Sequence, residues 1–334
     1  MSPNSPATEF HVEVVRIGPV RPHPSADRLE LTNVGGYPVC VAKGEYKEGD
    51  TAVYVPIDSV VPASDPRWAF LDGHTRIHAK KLRNVFSMGL LTAADPSWEV
   101  GRDVAAELGI TKYEPVISNP EQNEADPGLA PEYGVEGWRR HSERIARGEV
   151  FAPDELVVVL EKLDGENARF AYHNNRLWVG SHTNWKRDIP SSQWWNAAAL
   201  YGLEEKLGNL AAPAVFYGEI IGHVSDLPYG HSPKVRGLAF FDILDPKTRT
   251  FLNWADFKAI MELVGLPTAP VLYEGPFKNF DPDVCNGMTT YPRAGGKHMR
   301  EGFVIKPQVE RRDPEIGRVA LKLHGEKYLL RKSR

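Results

Sequence analysis

The sequence predicts an α+β protein of two domains, in which a small β-barrel precedes a larger domain of strands and a few helices. Short runs that alternate apolar and polar residues, separated by glycines, fill residues 10–93 and are typical of a small barrel or sandwich. Residues 118–148 are rich in Pro, Gly, Glu and Asn, as linkers are. From Val150 onward strands alternate with helical patterns. The predicted bounds are 1–115 for the first domain, 116–149 for the linker and 150–334 for the second domain.

The composition is that of a soluble globular protein, with 42% hydrophobic and 25% charged residues. No apolar run approaches the roughly 20 residues that cross a bilayer, so we expect no membrane partner. The polar, Pro-rich start does not have the pattern of a secretory signal. Cys40 and Cys285 are too few and too far apart for a disulfide framework or a cysteine zinc site. We therefore expect the protein in the reducing cytoplasm.

The formal net charge of −4 argues against a protein that coats nucleic acid indiscriminately. It leaves a local basic groove open, because counterion release depends on the charges that contact phosphates. Two basic stretches are candidates for such a groove, and each is equally compatible with a solvated surface. They are Lys80 to Arg83 and the tail from Lys322 to Arg334.

The first domain contains one distinctive segment among its strand-like runs. His23-Pro-Ser-Ala-Asp-Arg-Leu29 resembles the His-Pro-Asn-Ala-Asp-Arg-Leu signature of tRNA-binding OB-type domains. Ser25 stands where Asn is commoner, so the resemblance supports an OB-type barrel better than it supports tRNA as the ligand. Such barrels bind oligonucleotides across one face, and Lys80, Lys81 and Arg83 are the phosphate contacts that we expect here.

The second domain opens with an apolar strand that delivers a lysine to a tight turn. Residues 155–160 run into Glu161-Lys162-Leu163-Asp164-Gly165-Glu166-Asn167. Alone, Lys-x-Asp-Gly is a weak signal, because an Asp-Gly turn after a strand is a common hairpin.

Further segments along the chain place charged residues within or beside apolar strands, where a charge is costly without a partner. Each could be structural by itself, but their number and order favour a shared site. They are Glu219 within 215–222, Phe241 and Asp242 within 238–243, Glu301 and Lys306 within 300–306, and Lys322 within 319–323.

Together these segments resemble the covalent nucleotidyltransferase superfamily of ligases and capping enzymes, over nearly all of residues 150–325. The resemblance implies an adenylyltransferase domain, ATP-grasp-like and built on antiparallel sheets. It also implies that Lys162 becomes covalently joined to AMP.

The chemistry explains the residue types. An attacking amine must lose a proton, although the reference pKa of lysine is about 10.4. Burial and a nearby cation both favour the neutral amine. Lys322 would act as such a cation and would also offset charge on the α-phosphate. Mg²⁺, or Mn²⁺, would neutralise the triphosphate, and we expect Asp164, Glu219 and Glu301 around that metal through its waters.

The resemblance implies the remaining roles. Phe241 would stack on adenine, Glu161 would contact the exocyclic amine of the base, and Asn167 would bind near the sugar or the RNA end, as in RNA ligases. The catalytic residues implied are Lys162, Lys322 and Asp164. The residues implied for nucleotide binding are Glu161, Lys162, Asn167, Glu219, Phe241, Glu301, Lys306 and Lys322.

Domain order separates the relatives. DNA ligases and capping enzymes usually have an OB domain after the catalytic domain, whereas only 12 residues (334 − 322) follow Lys322 here and the barrel comes first. This order resembles a class of ATP-dependent RNA ligases in bacteria and some protists. It implies sealing of RNA 3′-OH and 5′-phosphate ends through lysyl-AMP and an AMP-capped RNA end. We expect a monomer that acts on a nicked duplex.

Two departures from that class stand out. Ser181-His182 replaces the usual Ser-Arg, so Lys186 or Arg187 would have to supply the missing contact. His324 occupies the place of the second lysine in the usual Lys-x-Lys. A histidine can donate to phosphate but is mostly uncharged at neutral pH.

Three questions stay open at the level of sequence. A DNA or mixed RNA/DNA nick ligase would share the lysine chemistry, and a non-catalytic RNA-binding scaffold would keep the fold. Trp194-Trp195, in a helix predicted over 191–207, suggests either a base-stacking platform or one indole buried in the core, and we favour the second. The loop Gly222 to Ser232, flanked by histidines, is a candidate RNA contact.

Overall fold

The computed structural model describes residues 10–113, 123–131, 133–225, 227–232 and 235–331. The chain forms two compact units, each assembled from separate segments. The first unit holds the described residues up to 113 together with 138–147 and 326–331, and the second unit holds those from 123 to 137 and from 148 to 325. Among the described residues, no helix is both long enough and apolar enough to span a membrane.

The first unit is built from short antiparallel strands. The strands are β1 (Glu13–Arg16), β2 (Arg21–Pro22), β3 (Leu29–Val34), β4 (Tyr37–Ala42), β5 (Thr51–Val55), β6 (Ser59–Val60), β7 (Lys80–Leu82), β8 (Val85–Ser87), β9 (Leu90–Ala93) and β10 (Thr111–Lys112). They pair as β1-β5-β9, β2-β3-β4, β7-β8 and β6-β10. Strand β5 is covered on both faces, since Val53 and Val55 lie in one apolar cluster and Tyr54 in another. This arrangement agrees with the predicted small barrel.

The His23–Leu29 segment stabilises the tight turn between β7 and β8 by hydrogen bonds. His23 Nδ1 accepts from the Ser25 N–H at 3.1 Å, so Nε2 carries the proton and donates to the Leu82 carbonyl at 3.1 Å. The Ser25 hydroxyl donates to the Arg83 carbonyl at 2.9 Å. Arg83 and Asn84 join β7 to β8 with φ of 45° and 73°, as a two-residue hairpin turn of matching twist requires. The segment therefore holds the hairpin that carries the basic residues at 80–83.

Two later segments complete the first unit. Helix α1 (Ser142–Ala146) follows residues 138–141, where the Arg139 carbonyl accepts from the Gly36 N–H at 3.0 Å. In the last described helix, which is α5 (Glu326–Arg331), the side chains at 329 and 330 pack against Ala79, Phe86 and Met88. The predicted bounds assumed continuous domains, whereas part of the expected linker and the last helix belong to this compact unit.

The described part of the second unit contains two large sheets, mainly antiparallel, and one two-stranded antiparallel sheet. Its strands are β11 (Asn123–Glu124), β12 (Glu136–Gly137), β13 (Leu156–Lys162), β14 (Glu166–His173), β15 (Arg176–Gly180), β16 (Trp185–Lys186), β17 (Val215–Ile221), β18 (Gly237–Asp245), β19 (Thr250–Phe251), β20 (Val271–Pro276), β21 (Gly302–Pro307), β22 (Arg312–Asp313), β23 (Gly317–Arg318) and β24 (Leu321–His324). The seven-stranded sheet has the order β11-β16-β15-β14-β17-β18-β19, and the five-stranded sheet has the order β12-β24-β21-β13-β20. Only the short β12–β24 pairing among these described strands is parallel. The predicted antiparallel sheets are confirmed.

The α-helices in the described part of this unit are α2 (Gln193–Leu200), α3 (Leu203–Gly208) and α4 (Trp254–Val264), and short 3-10 helices lie between residues 277 and 294. The helix predicted over 191–207 is interrupted at Gly202, whose φ of 62° is outside the helical range. Trp194 is buried and its indole N–H donates to the Asn167 carbonyl at 3.2 Å. The expectation that one indole packs into the core is therefore confirmed.

Candidate active site

Strand register places the two predicted lysines on one face of the five-stranded sheet. Lys162 is aligned with Gly302, and Gly302 with His324. Lys322 lies two residues before His324 on the same strand. Aligned residues and residues two apart point to the same face, so Lys162, Lys322 and His324 share it. A Cβ on Gly302 would lie 1.9 Å from the Leu323 carbonyl oxygen, so only glycine lets these strands approach here.

The seven-stranded sheet supplies the facing carboxylate. Glu219 of β17 is aligned with Asn167 of β14, and the Asp164-Gly165 turn brings β13 into β14. A Cβ on Gly165 would lie 2.1 Å from the Ile220 carbonyl oxygen, so the turn can lie against β17 only because residue 165 is glycine. This close approach brings Asp164 and Glu219 to the end of the Lys162 strand.

Glu301 is the direct partner of the nucleophile candidate. Its Oε1 lies 2.9 Å from Lys162 Nζ and 3.4 Å from His324 Nε2. Its Oε2 is buried and has no hydrogen-bond partner among the described residues. The pKa of Glu301 is about 2, because Lys162 and His324 outweigh the burial that would raise it.

Lys162 sits among more negative charge than it can neutralise. Burial lowers the pKa of Lys162, but Glu301, Glu219 and Asp164 outweigh it and the net pKa is raised. Burial raises the pKa of Glu219 to about 8, with Lys162 opposing and the neighbouring carboxylates adding to the shift. Burial thus favours the neutral amine of Lys162, as expected, but the neighbouring carboxylates outweigh it and favour the ammonium ion.

The donor set suits a divalent cation. Hard cations take oxygen ligands, and this site has three clustered carboxylates, one of them with a buried oxygen that lacks a partner. No group of three His, Cys, Asp or Glu side chains in the described ranges could hold an ion directly. Binding through the waters of the metal, as expected for Asp164, Glu219 and Glu301, stays a prediction.

The model of the RNA ligase family matches residues 155–324, which is half of the chain. The chain belongs to the RNA ligase family. A model of an OB-fold domain matches residues 11–94. The predicted order of an OB-type barrel followed by a ligase domain is confirmed.

Solved structures of the Naegleria gruberi RNA ligase share the fold. A lysine-to-alanine mutant with ATP and Mn has a TM-score of 0.83 and 24% identity, and covers 97% of this chain and 100% of its own. The same enzyme with pyrophosphate has a TM-score of 0.83 and 24% identity, and covers 98% of this chain and 100% of its own. A lysine-to-methionine mutant with AMP and Mn has a TM-score of 0.83 and 23% identity, and covers 97% of this chain and 99% of its own. No curated protein matched the chain.

In this RNA ligase family member, the Glu161 carboxylate points away from the Lys162 cluster, because neighbouring residues of a strand face opposite sides. It is buried, and its Oε1 accepts from the Thr289 hydroxyl at 2.5 Å. Its Oε2 accepts from the N–H and hydroxyl of Thr290, both at 2.7 Å. This carboxylate thus holds residues 289–290, and its contact with the exocyclic amine of the base stays a prediction.

Lys306, which was predicted to bind the nucleotide, lies in a buried ion network. It is 2% exposed and its Nζ forms an ion pair with Asp242 Oδ1. Asp242 is 1% exposed, its Oδ2 lies 2.9 Å from Arg318 Nη1, and it accepts from the Tyr133 hydroxyl. Arg318 Nη2 in turn lies 2.5 Å from Glu310 Oε1. Burial raises the pKa of Asp242, but Arg318 and Lys306 outweigh it and the net pKa is lowered. The contact of Lys306 with the nucleotide stays a prediction.

Phe241 lies where the pairing of β17 with β18 shifts register. Its half-buried ring lies 4.8 Å from the ring of Tyr133, between centroids. Tyr133 belongs to the segment that was expected to be a linker, and its bond to Asp242 pins that segment to the sheet. Stacking of Phe241 on adenine stays a prediction.

The family departures have local consequences. His182 Nε2 contacts the Tyr133 carbonyl at 2.8 Å. Lys186 is buried and donates to Asn123 Oδ1 at 2.9 Å, and burial lowers its pKa against the opposing effect of Glu166. Of the two expected substitutes for the missing arginine, only Arg187 has an exposed side chain. Burial lowers the pKa of His324 despite Glu301, so His324 is neutral at pH 7.

Several residues next to the lysine were not predicted as part of the site. The Asp164 N–H donates to the Tyr229 hydroxyl at 2.7 Å, and the Asp164 carbonyl accepts from the Ser225 hydroxyl at 2.7 Å. Their position in the histidine-flanked loop after the Glu219 strand was the one available signal. Thr289 and Thr290 had none, because nothing in their spacing relates them to a strand 128 and 129 residues away.

Proposed function

We propose that this protein is an ATP-dependent RNA ligase that uses Lys162 as its nucleophile. The single observation that carries the proposal is the cluster around Lys162 Nζ, with Glu301 at 2.9 Å and with Glu219 and Asp164 close enough to perturb the pKa of the lysine. Membership of the RNA ligase family supports this reading. The ATP, AMP and pyrophosphate in the Naegleria structures are the reactant and products expected of lysine adenylation.

The reaction has three phosphoryl-type transfers. Lys162 Nζ, after losing its proton, forms a bond to the α-phosphorus of ATP as the bond to pyrophosphate breaks. The AMP then passes to a 5′-phosphate of RNA, which frees the lysine. Finally a 3′-hydroxyl attacks the capped phosphate, and AMP leaves as the phosphodiester forms. Such steps are accelerated mainly by positioning and by charge stabilisation.

The residues of the site divide these tasks. A divalent cation, when bound, would offset the carboxylate charge and that of the phosphates. Glu301 holds the lysine side chain in place. Lys322, on the same face as Lys162, would stabilise charge on the transferred phosphate. Neutral His324 would donate a hydrogen bond to phosphate without adding charge.

The first unit is proposed to bind the RNA. Lys80, Lys81 and Arg83 are exposed on the β7–β8 hairpin, whose turn is fastened by His23 and Ser25. We propose a nicked duplex as substrate and a monomer as the active form. We also propose a cytoplasmic location, in keeping with two cysteines that are not paired.

The test is the intact mass of the protein after incubation with ATP and Mg²⁺ or Mn²⁺, compared with Lys162→Ala. We expect one AMP adduct that is absent from the variant. Nicks with RNA or DNA on each side would then distinguish an RNA ligase from a DNA or mixed ligase. If no adduct forms, including after stripping with pyrophosphate, the RNA-binding scaffold is the correct reading.

A further inference from the structure

Both backbone polar groups of Asp164 are held by one loop. The Tyr229 hydroxyl accepts from the Asp164 N–H, and the Ser225 hydroxyl donates to the Asp164 carbonyl, each at 2.7 Å. Tyr229 is fully buried. Two side chains of one loop, described over 222–225 and 227–232, therefore fix the peptide groups on either side of the Asp164 Cα.

Tyr229 itself adopts a backbone conformation that a non-glycine residue rarely takes. Its φ of 47° is in the left-handed region, where a bulky residue persists only when its surroundings hold it. Those surroundings are aromatic. The Tyr229 ring meets His298 edge-on at 4.7 Å and Tyr291 at 5.6 Å, between centroids. Packing thus aims the hydroxyl at Asp164.

The same loop packs closely against residues 287–300 and is hydrogen-bonded to them. Arg293 Nε donates to the Gly230 carbonyl at 3.0 Å. A Cβ on Gly230 would lie 2.1 Å from the Arg293 carbonyl oxygen, so the approach requires glycine. His231 Nε2 lies 3.2 Å from the Tyr291 hydroxyl. The two segments therefore behave as one packed body.

That body also holds the residue before the nucleophile. Thr289 and Thr290 donate three hydrogen bonds to the Glu161 carboxylate. Glu161 and Asp164 flank Lys162 on the chain, and each is bonded to one of two segments that pack on each other. The strand end that carries Lys162 is therefore clamped on both sides.

We propose that Tyr229 is a positioning residue for lysine adenylation, which sets the direction of Asp164 relative to Lys162, and that Ser225 assists it. This inference rests on the proposed function. Without the hydroxyl, the Asp164 N–H loses this acceptor and the turn can rotate, which moves the carboxylate away from the reacting groups. A displacement of about 1 Å at a reacting centre costs on the order of 100-fold in rate.

The test is Tyr229→Phe, which removes the hydroxyl and keeps the ring. Tyr201→Phe is a matched control, because the Tyr201 hydroxyl also accepts from a backbone N–H, that of Leu238 at 3.2 Å. The rate of lysyl-AMP formation is measured at saturating ATP, together with the ATP concentration for half-maximal rate and the melting temperature. We expect Tyr229→Phe to slow adenylation about 10- to 100-fold, with the half-maximal ATP concentration nearly unchanged and the melting temperature lowered no more than in Tyr201→Phe. Tyr201→Phe should keep the normal rate.

The outcomes separate the two proposals. If the unsubstituted protein forms no adduct, the proposed function fails. If it does, and Tyr229→Phe adenylates as fast, the positioning role is wrong. A loss of rate and melting temperature in parallel in both tyrosine variants would also overturn it. Should Tyr229→Phe not fold, Ser225→Ala decides, because it removes the second bond without touching the aromatic packing. We expect a fall of roughly 3- to 10-fold for that variant, and an unchanged rate would refute the inference.

Discussion

The buried ion network around Asp242 allows a test of whether Lys306 stabilises the fold or binds the nucleotide. Asp242, Glu310, Lys306 and Arg318 carry two negative and two positive charges, so the network is neutral. Asp242→Asn leaves one excess positive charge, and Lys306→Met leaves one excess negative charge. Because Asp242 and Lys306 are 1% and 2% exposed, each single change should cost about 3 to 5 kcal/mol of unfolding free energy.

The double variant, with Asp242→Asn and Lys306→Met, restores neutrality. It should therefore lose little more unfolding free energy than either single variant. We therefore expect a coupling energy of about 3 kcal/mol in a double-mutant cycle, measured by urea unfolding of the full chain. Lys258 and Glu274 form a control pair, 2.9 Å apart but 49% and 37% exposed. Their coupling should stay below about 1 kcal/mol.

Additive costs for Asp242→Asn and Lys306→Met would refute this reasoning. The same double variant also tests the nucleotide contact predicted for Lys306. If it folds and forms lysyl-AMP, the lysine acts through packing. If it folds and forms none, the residue belongs to the nucleotide site as the sequence suggested.

Three further outcomes are expected. Because burial raises the pKa of Glu219 to about 8, the folded state keeps a proton between pH 4.5 and 8 that the unfolded state has lost, and stability falls as pH rises through that window. Glu219→Gln should therefore raise the metal-free melting temperature at pH 8 but not at pH 4, and parallel curves would contradict this. Gly165→Ala would place a Cβ 2.1 Å from a backbone oxygen of β17, and it should lower the free energy of unfolding by about 1 to 3 kcal/mol and abolish most adenylation. Gly18→Ala, whose Cβ would have its nearest atom at 3.5 Å, should be tolerated. Charge reversal at Lys80 and Lys81 should lower the salt dependence of RNA binding by roughly 0.7 to 0.9 per lost phosphate contact without slowing adenylation, and an unchanged slope would exclude both residues.

Much of the site could be predicted because charges inside apolar strands demand partners. Lys162, Glu219 and Lys322 stand in such strands and Glu301 directly precedes one. The structure brings the first two and Glu301 together, and Lys322 lies on the same sheet face as Lys162. Strand alternation also predicts that the Glu161 side chain points away from Lys162, as the structure shows.

The remainder depends on distant pairing that local sequence does not encode. Lys306 lies in a strand as apolar as that of Lys162, so the pattern cannot tell an ion pair with Asp242, 64 residues away, from a nucleotide contact. The role of Tyr229 depends on a rare backbone conformation, and that conformation is set by packing against a segment about 60 residues later.

The discontinuous first unit has a consequence for synthesis. Its apolar cluster at Ala79, Phe86 and Met88 is covered in part by the side chains at 329 and 330, which come last among its members in the chain. A nascent chain on the ribosome therefore exposes that cluster until almost the whole of the second unit has been made. Contacts so far apart along the chain also form slowly. We expect truncation before residue 326 to leave a barrel that is prone to aggregation and to degradation, even though every one of its strands is present.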